Sequence, residues 1–237
     1  MNLVTVQFFS PALGRHVTYS AILPEDQVDE APVLYQLHGR SDDHTAWLNL
    51  SNLVVYAREF PFIIVLPDGG VSFWRNYSAR ERYETFVIED LDSHVRRTFR
   101  VRPGKAAIGG LSMGGYGAMA LGLKYPERFA SIWSHSSAFY DADRFRRFDV
   151  PPDDPEEMDI FRLAARAKER GDLPVIGFDC GRDDFLIEEN RRFHRHLVDL
   201  GVPHTYLEHD GAHTWDYWDR HVRDALRQHR KVLFEEG

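Results

Sequence analysis

Short β-branched apolar runs alternate with longer amphipathic stretches along most of this chain, and that alternation constrains its fold more than any other feature. Val33-Leu34-Tyr35-Gln36-Leu37 and Phe62-Ile63-Ile64-Val65-Leu66 are too short for ordinary helices, and each is closed by Gly or Pro within a few residues, as buried strands are. Lys105 to Ile108, leading into Gly109-Gly110, and Pro174 to Cys180, ending at Gly181, are two more such runs. Helical patterns cover Tyr83 to Thr98, Gly114 to Tyr125, Glu188 to Leu200, and Thr214 to the carboxyl end. Strands interleaved with helices imply an α/β fold with a mostly parallel central sheet and helices on both faces, its active site at the carboxyl ends of the strands. Ahead of these, Val4 to Phe9 and Val17 to Leu23 flank the turn-forming Ser10 to Arg15 and predict an antiparallel amino-terminal hairpin, followed by an acidic loop over Pro24 to Ala31.

With 237 residues, 43% of them hydrophobic, the chain can bury one substantial core, and no repeat or low-complexity linker divides it, so residues 1–237 are expected to form a single domain. The irregular stretch is Asp141 to Asp172. Its prolines Pro151, Pro152 and Pro155 cannot continue a helix. It reads as a surface excursion with one short helix near Ile160 to Arg170, or alternatively as a partial cap over the active site.

A net charge of −8, from 29 basic and 37 acidic residues, leaves no electrostatic footprint for nucleic acid or an anionic membrane. No apolar run approaches the length that spans a bilayer, and Met1 to Phe9 lacks a basic region followed by an apolar one, so a cytoplasmic protein is expected. The lone Cys180 excludes an internal disulfide framework and suits a reducing compartment. Homo-oligomerisation stays open.

Gly110-Leu111-Ser112-Met113-Gly114 matches G-x-S-x-G, and it falls between a predicted strand and a predicted helix, the context that gives the pattern meaning. A nucleophile there projects from a tight, strained turn, and the flanking glycines keep neighbouring backbone clear. The same turn puts Ser112 at a helix amino terminus, where free N–H groups favour developing negative charge and Met113 N–H becomes one oxyanion donor. A second donor is expected from the loop after an earlier strand. Here that loop is Leu37-His38-Gly39-Arg40, so the N–H of Arg40 is assigned the role and His38 is read as a brace for the loop.

An acid and a histidine follow in chain order, each after a strand. Asp183 and Asp184 come after Cys180-Gly181-Arg182, and either could serve. His213 lies in Asp210-Gly211-Ala212-His213-Thr214-Trp215, between the extended run Thr205 to Glu208 and the last helix. An imidazole can take the serine proton while a carboxylate fixes its tautomer. His194, His196, His204, His209, His221 and His229 have no matching constellation and read as solvated surface residues. No H-E-x-x-H or comparable spacing appears, so neither a metal nor another cofactor is expected. Cys180, at a strand end rather than at the elbow, reads as buried packing.

Beyond these residues, the chain carries Ser10-Pro11-Ala12-Leu13-Gly14-Arg15, Leu37-His38-Gly39 with Asp42-Asp43 and Trp47, and Val65-Leu66-Pro67-Asp68-Gly69-Gly70. It also carries Tyr125-Pro126-Glu127-Arg128-Phe129, Cys180 to Leu186, and Gly211-Ala212-His213-Thr214-Trp215-Asp216-Tyr217-Trp218. With these it resembles the putative-esterase family of α/β-hydrolases, which includes esterase D (S-formylglutathione hydrolase), tributyrin esterases, feruloyl and acetylxylan esterases and mycolyltransferases. The resemblance implies that the second acidic residue of the pair, Asp184, is the triad acid, and that Arg40 and Met113 donate to the oxyanion. Many relatives have Leu or Met at the position of Arg40, so a guanidinium near the pocket here could alter substrate preference.

Trp47, Phe73, Trp74, Trp133, Phe139, Tyr140 and Trp215 lie in or beside loops after predicted strands, and about half of them are expected to line the pocket. Such a wall suits small acyl or aryl esters, hydrolysed through an acyl-enzyme on Ser112. The alternatives are acyl transfer to a sugar or lipid hydroxyl, a thioesterase of the S-formylglutathione type, and a binding module that keeps the fold without activity.

Overall fold

A computed structural model describes residues 2–24 and 30–235; residues 25–29 of the expected acidic loop, and the last two residues, lie outside this description. Among the described residues eight strands form one sheet: β1 (Asn2–Ser10), β2 (Arg15–Leu23), β3 (Val33–Leu37), β4 (Ile63–Pro67), β5 (Ala106–Leu111), β6 (Phe129–His135), β7 (Val175–Gly181) and β8 (Thr205–His209). Their order is β1-β2-β4-β3-β5-β6-β7-β8. The β1–β2 hairpin and its junction with β4 are antiparallel, and every other pairing is parallel. This is the predicted mostly parallel sheet with an antiparallel hairpin, with one strand the sequence reading did not assign, β6.

The helices are α1 (Ala46–Asn49), α2 (Leu53–Tyr56), α3 (Tyr83–Thr85), α4 (Asp92–Thr98), α5 (Met113–Lys124), α6 (Ala142–Arg146), α7 (Ile160–Arg170), α8 (Ile187–Asp199) and α9 (Trp215–Glu235). A six-residue π-helical segment, Phe86–Leu91, joins α3 to α4. Successive strand residues point to opposite faces and so split the core. Tyr35, Leu37, Ile108 and Ile132 pack with Tyr116 and Met119 of α5 on one face. Leu34, Ile64 and Ala107 pack with Trp47, Val222 and Leu226 on the other. Among the described residues no helix is long and apolar enough to cross a membrane.

The 141–172 excursion contains α7 where a helix was expected, and the shorter α6 before it. Asp159 caps α7 by accepting from Phe161 N–H at 2.9 Å and Arg162 N–H at 3.1 Å, and Gly171 ends it at φ 78°. The excursion is tied down at several points. Tyr116 Oη donates to the Met158 carbonyl at 2.6 Å, Arg75 donates to the Glu157 carbonyl at 2.8 Å, and Tyr77 Oη donates to the Val150 carbonyl at 2.7 Å.

Candidate active site

β5 passes into α5 through Ser112 alone, which sits at φ 54°, ψ −115°. A non-glycine residue held in that region costs on the order of 1–3 kcal/mol and needs surroundings that over-determine it. Here Ser112 N–H donates to the His135 carbonyl at 2.9 Å, and its own carbonyl accepts from Tyr116 and Ala138 N–H. The glycines are required by space. A Cβ on Gly110 would stand 2.5 Å from the Gly114 carbonyl oxygen, and one on Gly114 would stand 2.5 Å from that of His38.

His213 comes from the loop between β8 and α9, and its Nε2 lies 3.0 Å from Ser112 Oγ. Its Nδ1 is 3.0 and 2.9 Å from the two oxygens of Asp184, on the loop after β7. The carboxylate can only accept, so Nδ1 carries the proton and Nε2 presents its lone pair to the serine hydroxyl. Asp184 Oδ1 also accepts from Leu186 N–H at 2.8 Å. Asp184 is buried, whereas Asp183 is exposed. Backbone bonds lock the two loops together, Arg182 N–H to the His209 carbonyl at 2.9 Å and Asp183 N–H to the Gly211 carbonyl at 3.0 Å. The His213 ring is held between Phe185, 4.4 Å away, and the edge of Trp218, 4.9 Å away.

On the opposite side of Ser112 is the loop after β3. His38 is buried, and its Nε2 accepts from Gly69 N–H at 2.9 Å, so its Nδ1 bears the proton and donates to the Gly39 carbonyl at 2.6 Å. It braces the loop, as the sequence reading expected. Met113 opens α5, so its N–H belongs to the first turn, which has no intrahelical acceptor. Arg40 and Met113 both line the cleft above Ser112.

That cleft is a cavity of about 470 Å³ whose walls include Phe73, Tyr140, Phe148, Phe185, Trp215 and Trp218, with Arg40 and Arg144 at its polar side. Of the aromatic residues singled out from sequence, Phe73, Tyr140 and Trp215 therefore line it. Trp47, Trp74, Trp133 and Phe139 do not, which corrects their assignment to the pocket. The indole N–H of Trp47 donates to the Leu37 carbonyl at 3.1 Å, and that of Trp133 to Asp179 at 2.6 Å. Trp74 packs over Gly69 and Gly117, and Phe139 packs among Phe178 and Phe193. Phe148, Phe185, Trp218 and Arg144 were missed, because nothing local distinguishes their loops or helix from other surface.

Behind the cleft a second polar cluster is wholly buried. Asp179 accepts from Trp133 Nε1 at 2.6 Å, pairs with His135 Nδ1 at 2.7 Å and accepts from Tyr217 Oη at 2.8 Å. Burial alone would raise the Asp179 carboxyl, but the pairing with His135 and the other donors holds it below the ordinary carboxylate range. Cys180 is buried beside it, as expected, and burial pushes its thiol up, away from nucleophilic chemistry.

The histidines read as solvated are not so. His229 is fully buried against Ser131 Oγ at 2.8 Å, and His221 is buried as well. His194 contacts His204 at 2.8 Å, His196 contacts the Phe161 carbonyl at 3.0 Å, and His209 stacks on His221. Helix and strand packing supplies each with a partner that residue spacing does not display.

The family model described as "Putative esterase" matches residues 10–229. An acetyl esterase of Caldicellulosiruptor saccharolyticus is 32% identical, over 98% of this chain and 99% of that protein. An S-formylglutathione hydrolase of Mus musculus is 26% identical, over 89% of this chain and 86% of that protein. Among solved structures, the substrate-bound fluorophosphonate-binding serine hydrolase F of Staphylococcus aureus superimposes with a TM-score of 0.89 at 26% identity. It covers 96% of this chain and 97% of that one.

Proposed function

The chain belongs to the putative-esterase family, and from that membership and the cleft geometry we propose that it is a serine carboxylesterase acting on small acyl or aryl esters. The observation that carries the reading is the continuous line from Ser112 Oγ through His213 to Asp184, with contacts of 3.0 Å and 2.9 Å. In this mechanism His213 Nε2 takes the hydroxyl proton as Ser112 Oγ attacks the ester carbonyl. The imidazolium is balanced by Asp184. The carbonyl oxygen becomes an oxyanion held by the N–H groups of Arg40 and Met113, each worth about 10²–10³ in turnover by analogy with other such donors. The alcohol leaves with the proton from His213, and water then repeats the sequence on the acyl-enzyme to release the acid.

The walls support small, flat or short substrates, since six aromatic side chains surround a cavity of about 470 Å³. The 141–172 excursion is read as a fixed rim of that cavity, to which it contributes Arg144 and Phe148. Hydrolysis of p-nitrophenyl acetate and butyrate by the wild type and Ser112→Ala tests the mechanism. Turnover is expected to fall about 10⁵-fold, together with loss of covalent labelling by a fluorophosphonate; equal rates for the two proteins reject it. The likeness to the mouse S-formylglutathione hydrolase supports a second reading, a thioesterase on the same three residues. A thioester turned over with higher kcat/KM than any oxygen ester would select it. Retention of an added alcohol as the acyl acceptor would instead mark a transferase.

A further inference from the structure

His209 ends β8, and His221 and Asp224 stand one helical turn apart on α9. The two imidazole rings stack with centroids 3.9 Å apart and 9° between their planes. His221 is only 8% exposed. The Nε2 atoms of both rings are buried without a hydrogen-bond partner. Unpartnered buried ring nitrogens are costly, and of the two nitrogens of His221 it is Nδ1, not Nε2, that faces Asp224. One ring nitrogen of each histidine and one carboxylate oxygen of Asp224 all lie within 4.8 Å of one another. His221 Nδ1 and Asp224 Oδ2 are 3.6 Å apart, while the other Asp224 oxygen accepts from Arg227 at 2.7 Å.

Two imidazole nitrogens and one carboxylate oxygen form a donor set suited to borderline divalent ions of the first transition row rather than to magnesium or calcium. Bonds of about 2.0–2.2 Å in a tetrahedron put ligand atoms about 3.4 Å apart, so the His221 Nδ1–Asp224 Oδ2 edge is already close to that length. The remaining edges lie within 4.8 Å, and the two rings must turn out of their parallel stack for their in-plane lone pairs to meet one ion. We propose that His209, His221 and Asp224 bind a divalent transition-metal ion of the zinc class, which ties the end of β8 to α9 and closes the base of the loop that carries His213. Three protein ligands leave a fourth position to water. The ion sits outside the lining of the cleft and acts on the loop, not on the ester; the inference does not depend on the reaction assigned above.

Titrating the metal-free chain with Co²⁺ should give a visible ligand-field band that saturates at one equivalent and is displaced by Zn²⁺. Zn²⁺ at a hundredfold excess over its Kd should raise Tm by roughly 5 °C or more. Asp224→Asn and His209→Gln should each weaken Co²⁺ binding at least tenfold, whereas Ser112→Ala should keep both the band and the thermal shift. Absence of the band overturns the proposal. So does a band that survives in both ligand variants, or one lost in Ser112→Ala, which would place the metal in the cleft.

Discussion

Two carboxylate–imidazole pairs stand near the carboxyl ends of adjacent strands. Asp184 holds His213 at 2.9 Å, and Asp179 holds His135 at 2.7 Å. The pairings are nearly the same length, and both carboxylates are buried. What differs is the far side of each ring. Beyond His213 Nε2 is a serine hydroxyl in an open cleft, whereas His135 Nε2 is enclosed with no hydrogen-bond partner. An aspartate beside a histidine is therefore no sign of chemistry by itself; in the proposed mechanism, a nucleophile and room for a substrate beyond the ring are what set the His213 pair apart from an architectural one.

Exchanging the acids should divide the two pairs cleanly. Asp184→Asn is expected to lower kcat by about 10³–10⁴-fold, through loss of the imidazole tautomer and of charge compensation, while leaving the thermal midpoint close to wild type. Asp179→Asn breaks a buried pair, which costs about 3–5 kcal/mol, and so should lower Tm by about 10 °C while the folded fraction keeps kcat within tenfold. Steady-state kinetics and calorimetry on both variants check this, and a large kcat loss in Asp179→Asn would erase the distinction.

His229, buried on α9 against Ser131, should in turn govern stability toward acid. Burial pushes His229 down from its ordinary 6.5 to about 3. The unfolded chain therefore takes up a proton near pH 6.5 that the folded chain refuses until about pH 3, and stability is lost progressively as pH falls through that window. His229→Gln should remove roughly 3 kcal/mol of the loss between pH 7 and pH 4. Urea midpoints at the two pH values measure it, and an unchanged slope would clear His229 of the role.

The smallest expected effect lies at the mouth of the cleft. Arg40 and Arg144 both line it, so Arg40→Leu should reduce the preference for acidic over neutral esters by about three- to tenfold, in line with roughly 1 kcal/mol for an exposed charge pair. Relative kcat/KM values for a matched pair of esters check this, and identical ratios remove Arg40 from selectivity.

The sheet and the cleft were legible where the information is local. Short apolar runs, the glycines flanking Ser112 and the chain order of serine, acid and histidine all reside in a few consecutive residues. β6 was not, because Ser131 and Ser134 interrupt its apolar run. Their hydroxyls meet His229 and the Gly115 carbonyl, partners that only the fold brings near. The same reason explains Trp47, Trp74, Trp133 and Phe139. Position after a strand says that a side chain is near the cleft, but which way it points depends on distant acceptors and packing. Residues alone left Asp183 and Asp184 equal; family resemblance chose Asp184, and in the structure it is Asp184 that meets His213. The grouping of His209 with His221 and Asp224 had no signal in spacing, since one member comes from a strand and two from a helix.

Phe73 and Trp74 both adopt positive φ, 54° and 60°, immediately before Arg75. Arg75 is buried, bonds Glu84 at 2.5 Å and reaches the Glu157 carbonyl, while Glu84 also receives Lys124 and Tyr125. One wall of the cleft and the 141–172 excursion are thus riveted to the same ionic post. A gate hinged there would have to break that post before it could swing, which supports the proposed reading of the mouth as a gauge of set width. Selection among esters then falls to the bulk of the side chains around the opening, and exchanging a wall residue such as Phe148 should retune the enzyme without any change in how it moves.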